Sequence, residues 1–209
     1  MRAIPTLSIL AILLAACGGA SKDADDAPAA AIVPGGQTSA ARLDVYSEIG
    51  GDFTLTDHRG RPFRLAGTHG KVRLLFFGYA MCPDVCPMTL SKVVQVRRLL
   101  GDDAEDVMTL FVSVDPERDT PEKLRDYLGY FDLGEAAALS GTTEEVDAVV
   151  DLFKASYEKD DTGSAAGYLI NHTPYLFLLD RGGTVRALYR PSEKPEEIVS
   201  AIRVLLGES

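Results

Sequence analysis

The chain has 209 residues and is acidic, with 31 Asp and Glu against 21 Lys and Arg and a formal net charge of -10 at pH 7. This charge argues against nucleic acid as a partner and leaves no basic patch for anionic lipid. Only three cysteines and three histidines are present, so soft-metal or redox chemistry is confined to few positions.

The N-terminus carries a short apolar run from Leu7, preceded by Arg2 and ending in Leu14-Ala15-Ala16-Cys17. A bilayer-spanning helix needs about 20 apolar residues, so the pattern predicts a signal peptide over residues 1–16. The ending resembles the bacterial lipoprotein signal, in which the cysteine is lipidated and becomes the new N-terminus. An ordinary secretory peptide with an incidental cysteine is the alternative. The resemblance implies that Cys17 anchors the chain to a membrane, with the inner membrane and the periplasmic side of a bacterial envelope as the expected location.

Residues 17–47 are predicted to form a flexible tether. They are dominated by Ala, Gly, Asp, Pro and Ser and contain no aromatic residue before Tyr46, so they cannot bury enough apolar surface to offset their ordering entropy. The remaining residues, 48–209, number about 160 and suit a single domain.

The domain opens with two segments of alternating apolar and polar residues, 51–56 and 62–65, on either side of the turn-forming Asp57-His58-Arg59-Gly60. This arrangement predicts a β-hairpin. Residues 72–77 follow as a nearly continuous apolar run, which is typical of a central strand covered on both faces.

Further helices and strands then follow. The elements expected in chain order are a helix from about Pro87 to a cap at Gly101, a strand over residues 107–114, a helix from the N-cap Thr120 to about Phe131, a helix from the capping box of Thr142 and Glu145 to about Tyr157, a hairpin over residues 175–189 and a helix from Pro195 to Leu206. This order describes an α/β protein with a thioredoxin-like fold, in which helices flank a mixed central sheet and an N-terminal hairpin is added.

Cys82 and Cys86 stand between the apolar strand and the first helix, where a thioredoxin-like fold keeps its reactive thiols. On an ideal helix, residues four apart hold their Cβ atoms about 5–6 Å apart, whereas a disulfide needs about 3.5–4.5 Å. A disulfide here is therefore expected to be reversible, and the open pair suits a metal ion. Pro83 at the first helical position would place both sulfurs at the positive end of the helix, which favours thiolate, although Pro87 makes the first turn irregular.

The three histidines are not equivalent. His58 lies in the hairpin turn and His69 in a loop, so both are interpreted as exposed loop residues. His172 stands two residues before Pro174, at the place where a thioredoxin-like fold commonly has a cis-proline packed against its cysteines. From spacing alone, a metal ligand and a buried structural histidine are equal alternatives for His172.

Two thiolates and one imidazole form a soft ligand set with an open position, which favours copper, as Cu(I) or Cu(II). A structural zinc site normally has a fourth protein ligand, and the sequence offers no other suitably placed cysteine or histidine. Zinc is therefore the weaker alternative.

Four segments together resemble the Sco/SenC family of copper-binding, thioredoxin-like proteins. They are Phe77-Gly78-Tyr79, Cys82-Pro83-Asp84-Val85-Cys86-Pro87, Ser113-Val114-Asp115-Pro116-Glu117-Arg118-Asp119-Thr120-Pro121-Glu122 and His172-Thr173. The resemblance extends from about Gly51 to the C-terminal helix. It implies a membrane-anchored protein that delivers copper to the binuclear copper centre in subunit II of cytochrome c oxidase, or that keeps the cysteines of that centre reduced.

The resemblance also implies roles for single residues. Cys82 and Cys86 match the two thiolate ligands of the family, and His172 matches the third ligand. Family members usually have an acidic residue before this histidine where the chain has Asn171, so charge-based tuning of the imidazole from that side comes into question. Anchoring in the family is often by a transmembrane helix, whereas this chain carries the lipidation signal at Cys17.

Asp115 ends a strand on the side where the cysteines are expected. It is a candidate for hydrogen bonding around the metal ligands, as is Pro174 for packing there. Asp119 is equally explained as part of a helix start, and neither aspartate is expected to bind metal directly. Tyr79 and Phe77 are assigned to packing.

The leading hypothesis is a metallochaperone in which reduced Cys82 and Cys86, with neutral His172, bind copper and pass it to a partner with similar ligands. Oxidation to the disulfide removes both sulfurs, so redox state would switch copper loading. The alternative is a thiol-disulfide oxidoreductase whose thiolate attacks a disulfide of the partner. Peroxide reduction is disfavoured, because the threonine-before-cysteine pattern of peroxiredoxins is missing.

Overall fold

The computed structural model of the chain describes residues 43–164 and 167–208. The predicted signal peptide, the lipidation site Cys17 and most of the predicted tether lie outside the described residues. Across those two ranges, no helix combines the length and the apolar character needed to span a membrane.

Four α-helices, two short 3₁₀ helices (Leu65–Thr68 and Gly101–Asp106) and nine strands form the described part. The helices are α1 (Val85–Leu100), α2 (Pro121–Leu128), α3 (Thr143–Leu152) and α4 (Pro195–Gly207). The strands are β1 (Thr54–Asp57), β2 (Pro62–Arg64), β3 (Val72–Gly78), β4 (Val107–Ser113), β5 (Ala136–Ser140), β6 (Tyr157–Ser164), β7 (Gly167–His172), β8 (Leu176–Leu179) and β9 (Val185–Tyr189).

Seven strands make one mixed sheet in the order β2-β1-β5-β4-β3-β8-β9, while β6 and β7 pair only with each other. The three strands β3, β4 and β5 are parallel, and the remaining pairs are antiparallel. Every residue of β3 and β4 is buried, as expected for central strands covered on both faces. The prediction of a thioredoxin-like fold with a mixed central sheet is confirmed.

The topology brings three separate segments to one edge of the sheet. The last residue of β3, Gly78, pairs with Ser113 at the end of β4. Because β8 runs antiparallel to β3, its first residue, Leu176, pairs with Phe76 near the same end. The loops that follow β3 and β4 and the segment that precedes β8 therefore meet there, at the carboxyl ends of the parallel strands.

The first helix begins later than the sequence predicts. Asp84 occupies the N-cap and Val85 the first helical position of α1, so the placement of Pro83 at that position is wrong. A helix that starts at Val85 holds Pro87 in its first turn, where backbone N–H groups have no helical acceptor and proline costs nothing. The end of α1 is as predicted, because Gly101 caps it with a φ of 64°.

Two further helices end earlier than expected. Helix α2 stops at Leu128, before the predicted Phe131. Helix α3 stops at Leu152 rather than near Tyr157, because Lys154 has a φ of 51°, outside the helical region. Tyr157 instead starts β6 and pairs with His172.

Strands β5, β6 and β7 were not predicted. The sequence of β5 is Ala-Ala-Ala-Leu-Ser, which has low strand propensity. The sequence of β6 is Tyr-Glu-Lys-Asp-Asp-Thr-Gly-Ser, which has no apolar alternation to indicate a strand.

The last residues of the predicted tether contact the domain. Leu43 and Tyr46 pack against the hydrophobic core. The Arg186 guanidinium donates hydrogen bonds to the carbonyl oxygens of Leu43, at 3.1 Å, and of Asp44, at 2.9 Å.

Candidate metal centre

The two cysteines occupy the loop after β3 and the first turn of α1. The Cys82 N–H donates to the carbonyl oxygen of Tyr79 at 3.1 Å, which closes a tight turn. Cys82 is half-buried just before the helix, Cys86 is fully buried within it, and both are free thiols. The pair therefore does not lie on one regular helix.

His172, the last residue of β7, brings its imidazole to the thiols. One ligand atom each from Cys82, Cys86 and His172 lie within 4.8 Å of one another, and His172 Nε2 is 3.3 Å from the Cys86 sulfur. His172 Nδ1 is 3.1 Å from the carbonyl oxygen of Thr173. Because a carbonyl only accepts, Nδ1 donates to Thr173, and this leaves Nε2 facing the sulfurs, where it can bind a metal ion when it carries no proton.

Aromatic rings fix the plane of the imidazole. The Phe76 and Tyr79 rings meet the His172 ring edge to face, with centroid distances of 5.7 and 6.0 Å. Tyr79 is buried, and its hydroxyl accepts the Ile170 N–H at 3.1 Å. The packing assigned to Tyr79 thus also restrains the strand that carries His172.

The two thiols differ in acidity. The S–H of Cys86 donates to the Cys82 sulfur and lowers the pKa of Cys82 to about 4, with His172 contributing in the same direction. Burial raises the pKa of the Cys86 thiol well above its ordinary value. The half-buried sulfur is therefore a thiolate at neutral pH, while the buried one keeps its proton.

Gly78 leaves the space that the buried sulfur occupies. A Cβ at Gly78 would lie 2.7 Å from the Cys86 sulfur and 2.8 Å from the Phe111 ring. Only glycine lets the end of β3 pass so close to the thiol.

Asp115 lies near this edge of the sheet but bonds elsewhere. Its buried carboxylate accepts from Arg118 Nε at 2.5 Å and from the Tyr168 hydroxyl at 2.6 Å. These partners connect it to β7, so any influence of Asp115 on the thiols or on His172 passes through other side chains.

Asp119 was interpreted as part of a helix start. In the structure it also directly supports the cysteine loop, residues 79–84 between β3 and α1. Its Oδ2 accepts the Ala80 N–H at 3.0 Å and the Ser113 hydroxyl at 2.6 Å. Burial raises the pKa of this carboxyl. A carboxylate two residues beyond the Asp115-Pro116-Glu117 segment is the only sequence signal for this role.

The cis-proline expectation is wrong. No cis peptide bond occurs within residues 43–164 and 167–208, so the bond before Pro174 is trans. The backbone is held here by the Thr173 N–H, which donates to the Ser156 carbonyl oxygen at 2.9 Å. Asn171 stands where family members usually have an acidic residue, and it is exposed. It pairs with Glu158 across the two-stranded ribbon of β6 and β7.

The other two histidines lie outside the candidate metal centre. His69 is exposed, as expected. His58 is not an exposed loop residue, because only 9% of its surface is accessible and its Nδ1 accepts the Ala138 N–H at 3.2 Å. Burial lowers the pKa of His58, so the ring is neutral and acts as a structural acceptor between the hairpin and β5.

Comparisons with known proteins agree on one family. A model of the SCO1/SenC family matches residues 42–207. The SCO2-like protein of Rickettsia conorii is 31% identical over 170 residues, which are 78% of this chain and 82% of the relative. The copper-bound structure of Bradyrhizobium japonicum ScoI is 38% identical, has a TM-score of 0.69 and covers 76% of this chain and 99% of its own. That of Arabidopsis thaliana ScoI, also with copper bound, is 27% identical, has a TM-score of 0.70 and covers 75% and 97%.

Proposed function

The chain belongs to the SCO1/SenC family, and from that premise we propose that it is a copper metallochaperone for assembly of the binuclear copper centre of cytochrome c oxidase. The observation that carries the proposal is the cluster of Cys82, Cys86 and His172, whose ligand atoms lie within 4.8 Å of one another. Two relatives with the same fold hold copper in their solved structures.

The donor set fits copper. Two sulfurs and an imidazole nitrogen are soft or intermediate ligands and suit Cu(I) and Cu(II). No other histidine, cysteine or carboxylate joins the cluster among the described residues. A closed tetrahedral zinc site would need such a fourth ligand. A copper ion that has to be passed to a partner instead benefits from an open coordination position.

The three side chains have different roles in the binding and release of copper. Cys82 is the more exposed sulfur and is already a thiolate, so it is the ligand that a partner's thiol or imidazole reaches first. Cys86 keeps its proton because burial raises its pKa, and it must give that proton to solvent when it binds metal. Copper affinity is therefore expected to fall as the pH falls. Joining of the two sulfurs in a disulfide, with loss of the Cys86 proton and transfer of two electrons to an oxidising partner, turns binding off.

The proposed partner is subunit II of cytochrome c oxidase, which receives the copper. Lipidation of Cys17 would hold the protein on the periplasmic face of the inner membrane. Labelling with a radioactive lipid precursor tests this location, and a Cys17→Ala variant that remains in the membrane fraction would contradict it.

A thiol-disulfide oxidoreductase is the second candidate, because the two thiols differ in the way that thiol exchange requires. The Cys82 thiolate would attack a disulfide of the partner and release one partner thiolate. Cys86 would then attack the mixed disulfide, freeing the second partner thiol and leaving Cys82 and Cys86 joined. An external thiol reductant would have to restore the pair.

Copper titration of the reduced protein tests the proposal. One copper ion per chain is expected, with strong loss of affinity in Cys82→Ser, Cys86→Ser and His172→Ala. His69→Ala, which removes an exposed imidazole outside the cluster, serves as the matched control. If His172→Ala binds copper as tightly as the parent and keeps its spectrum, the three-ligand site is wrong. If His172→Ala also supports oxidase assembly in cells, the oxidoreductase is favoured.

A further inference from the structure

The strand that carries His172 is not part of the main sheet. Strands β6 and β7 pair only with each other, so no ladder of backbone hydrogen bonds sets the position of His172 relative to Cys82 and Cys86. Side-chain contacts have to do so. An error of about 1 Å in such a ligand atom is enough to weaken a binding site.

Arg118 is one of the side chains that join this ribbon to the body of the domain, and it makes several contacts with β7. Its guanidinium lies over the Tyr168 ring of β7, 3.6 Å from the centroid, and donates from Nη1 to the Tyr168 carbonyl oxygen at 2.9 Å. Its Nε donates to Asp115 at 2.5 Å, and Asp115 in turn accepts the Tyr168 hydroxyl at 2.6 Å. Arg118 and Asp115 thus hold Tyr168 through its ring, its hydroxyl and its backbone.

The same guanidinium reaches the cysteine side of the site. It lies 5.7 Å from the centroid of the Tyr79 ring, and Tyr79 stands three residues before Cys82. Tyr79 packs edge to face against His172 at 6.0 Å and accepts the Ile170 N–H. The contacts of Arg118 therefore form a continuous path from the cysteine loop to the imidazole.

We propose that Arg118 is a positioning residue, which holds β7 against Tyr79 and thereby sets the distance from His172 Nε2 to the two sulfurs. The proposal rests on the proposed function, since it concerns the affinity of that same site for copper. The planar guanidinium is needed because it stacks on one ring while donating in two directions, which a lysine ammonium does not reproduce.

Arg118→Lys tests the proposal because it keeps the positive charge and removes the planar, forked guanidinium group. We expect copper affinity to fall about tenfold, the lower end of the range for residues that support metal ligands. The Cu(II)–thiolate absorption band should shift, and hydrogen exchange at the amides of residues 169–172 in the copper-free protein should become faster. Arg61→Lys is the matched control, because Arg61 also makes a forked ion pair, with Asp57, on the N-terminal hairpin, and it should leave all three readouts unchanged.

A double-mutant cycle separates positioning from general destabilisation. In a His172→Ala background, Arg118→Lys should cause no further loss of copper affinity. An equal loss in both backgrounds, or no loss in the parent background, overturns the role of Arg118 while the proposed function stands. If His172→Ala itself binds copper as tightly as the parent, the proposed function fails and the inference fails with it. Tyr168→Leu, which removes the ring under the guanidinium, should give the same selective loss and replaces Arg118→Lys in the cycle if that variant does not fold.

Discussion

Replacement of Gly78 by alanine is expected to damage both the fold and the metal centre. The new Cβ would lie 2.7 Å from the Cys86 sulfur, 2.8 Å from the Phe111 ring and 3.0 Å from the Phe76 ring. All three neighbours are fully buried, so none of them can turn toward solvent. Ordinary contact begins near 3.4 Å, which means that the Cys86 sulfur has to move by about 0.7 Å.

The magnitude follows from the kind of contact. Gly78 lies in β3 and does not have a positive φ, so alanine brings no backbone strain and the whole effect is steric. Overpacking of a dense core costs about 1–3 kcal/mol, so we expect the free energy of unfolding to fall by about 2 kcal/mol and the Tm by about 4–8 °C. Displacement of the Cys86 sulfur should also weaken copper binding about tenfold.

Denaturant unfolding and Cu(I) competition titrations of the reduced protein measure the two effects. Gly67→Ala is the control, because Gly67 also has no positive φ and a Cβ there meets nothing within 4 Å. It should be neutral or stabilising by up to about 1 kcal/mol. Unchanged stability of Gly78→Ala would refute the packing argument. Lost stability with unchanged copper affinity would show that the Cys86 sulfur is not displaced.

Three further expectations concern titration and the cysteine loop. Iodoacetamide should modify Cys82 readily near about pH 6 and more slowly only as the pH approaches the Cys82 pKa of about 4. Buried Cys86 should not be modified. Mass spectrometry measures the modification of each cysteine, and equal modification of both contradicts the order of acidity. Because burial lowers the pKa of His58, its contribution to stability should be lost as the pH falls below about 6.5. His58→Asn, whose amide oxygen can still accept the N–H of Ala138, should flatten the pH dependence seen in urea titrations, and an unchanged slope counts against the assignment. Asp119→Asn should cost about 1–3 kcal/mol and speed hydrogen exchange at Ala80, whereas exposed Asp126→Asn should alter neither.

Most of the main sheet could be predicted because its strands carry their own signal. The apolar runs of β3 and β4 are buried along their whole length, and helix caps such as Gly101 and Thr142 mark where neighbouring helices end or begin. The ribbon of β6 and β7 could not be predicted in this way. Its residues are mostly polar, and it forms because two consecutive segments pair with each other beside the sheet, a tertiary arrangement that local periodicity does not encode.

The functional residues also differ in how far the sequence alone predicts their roles. Cys82 and Cys86 are four residues apart and follow a recognisable strand, so their pairing needs no distant contact. His172 is 86 positions from Cys86, and its candidacy depended on the expected fold and on the family resemblance. Asp119 and Arg118 have no sequence pattern that separates them from an ordinary helix start, because their roles come from partners in the loop after β3, on β4 and on β7.

The sequence by itself determined the chemistry available to this protein: two thiols four residues apart, one histidine before a strand, and no further cysteine or histidine suitably placed to join them. Only the tertiary structure decided how these groups differ. The antiparallel placement of β8 beside β3 brings His172 to the sulfurs, and the start of α1 at Val85 buries Cys86 while leaving Cys82 accessible. Acidity and ligand distance depend on burial and on neighbours far away in the chain, and these exist only once the sheet has assembled.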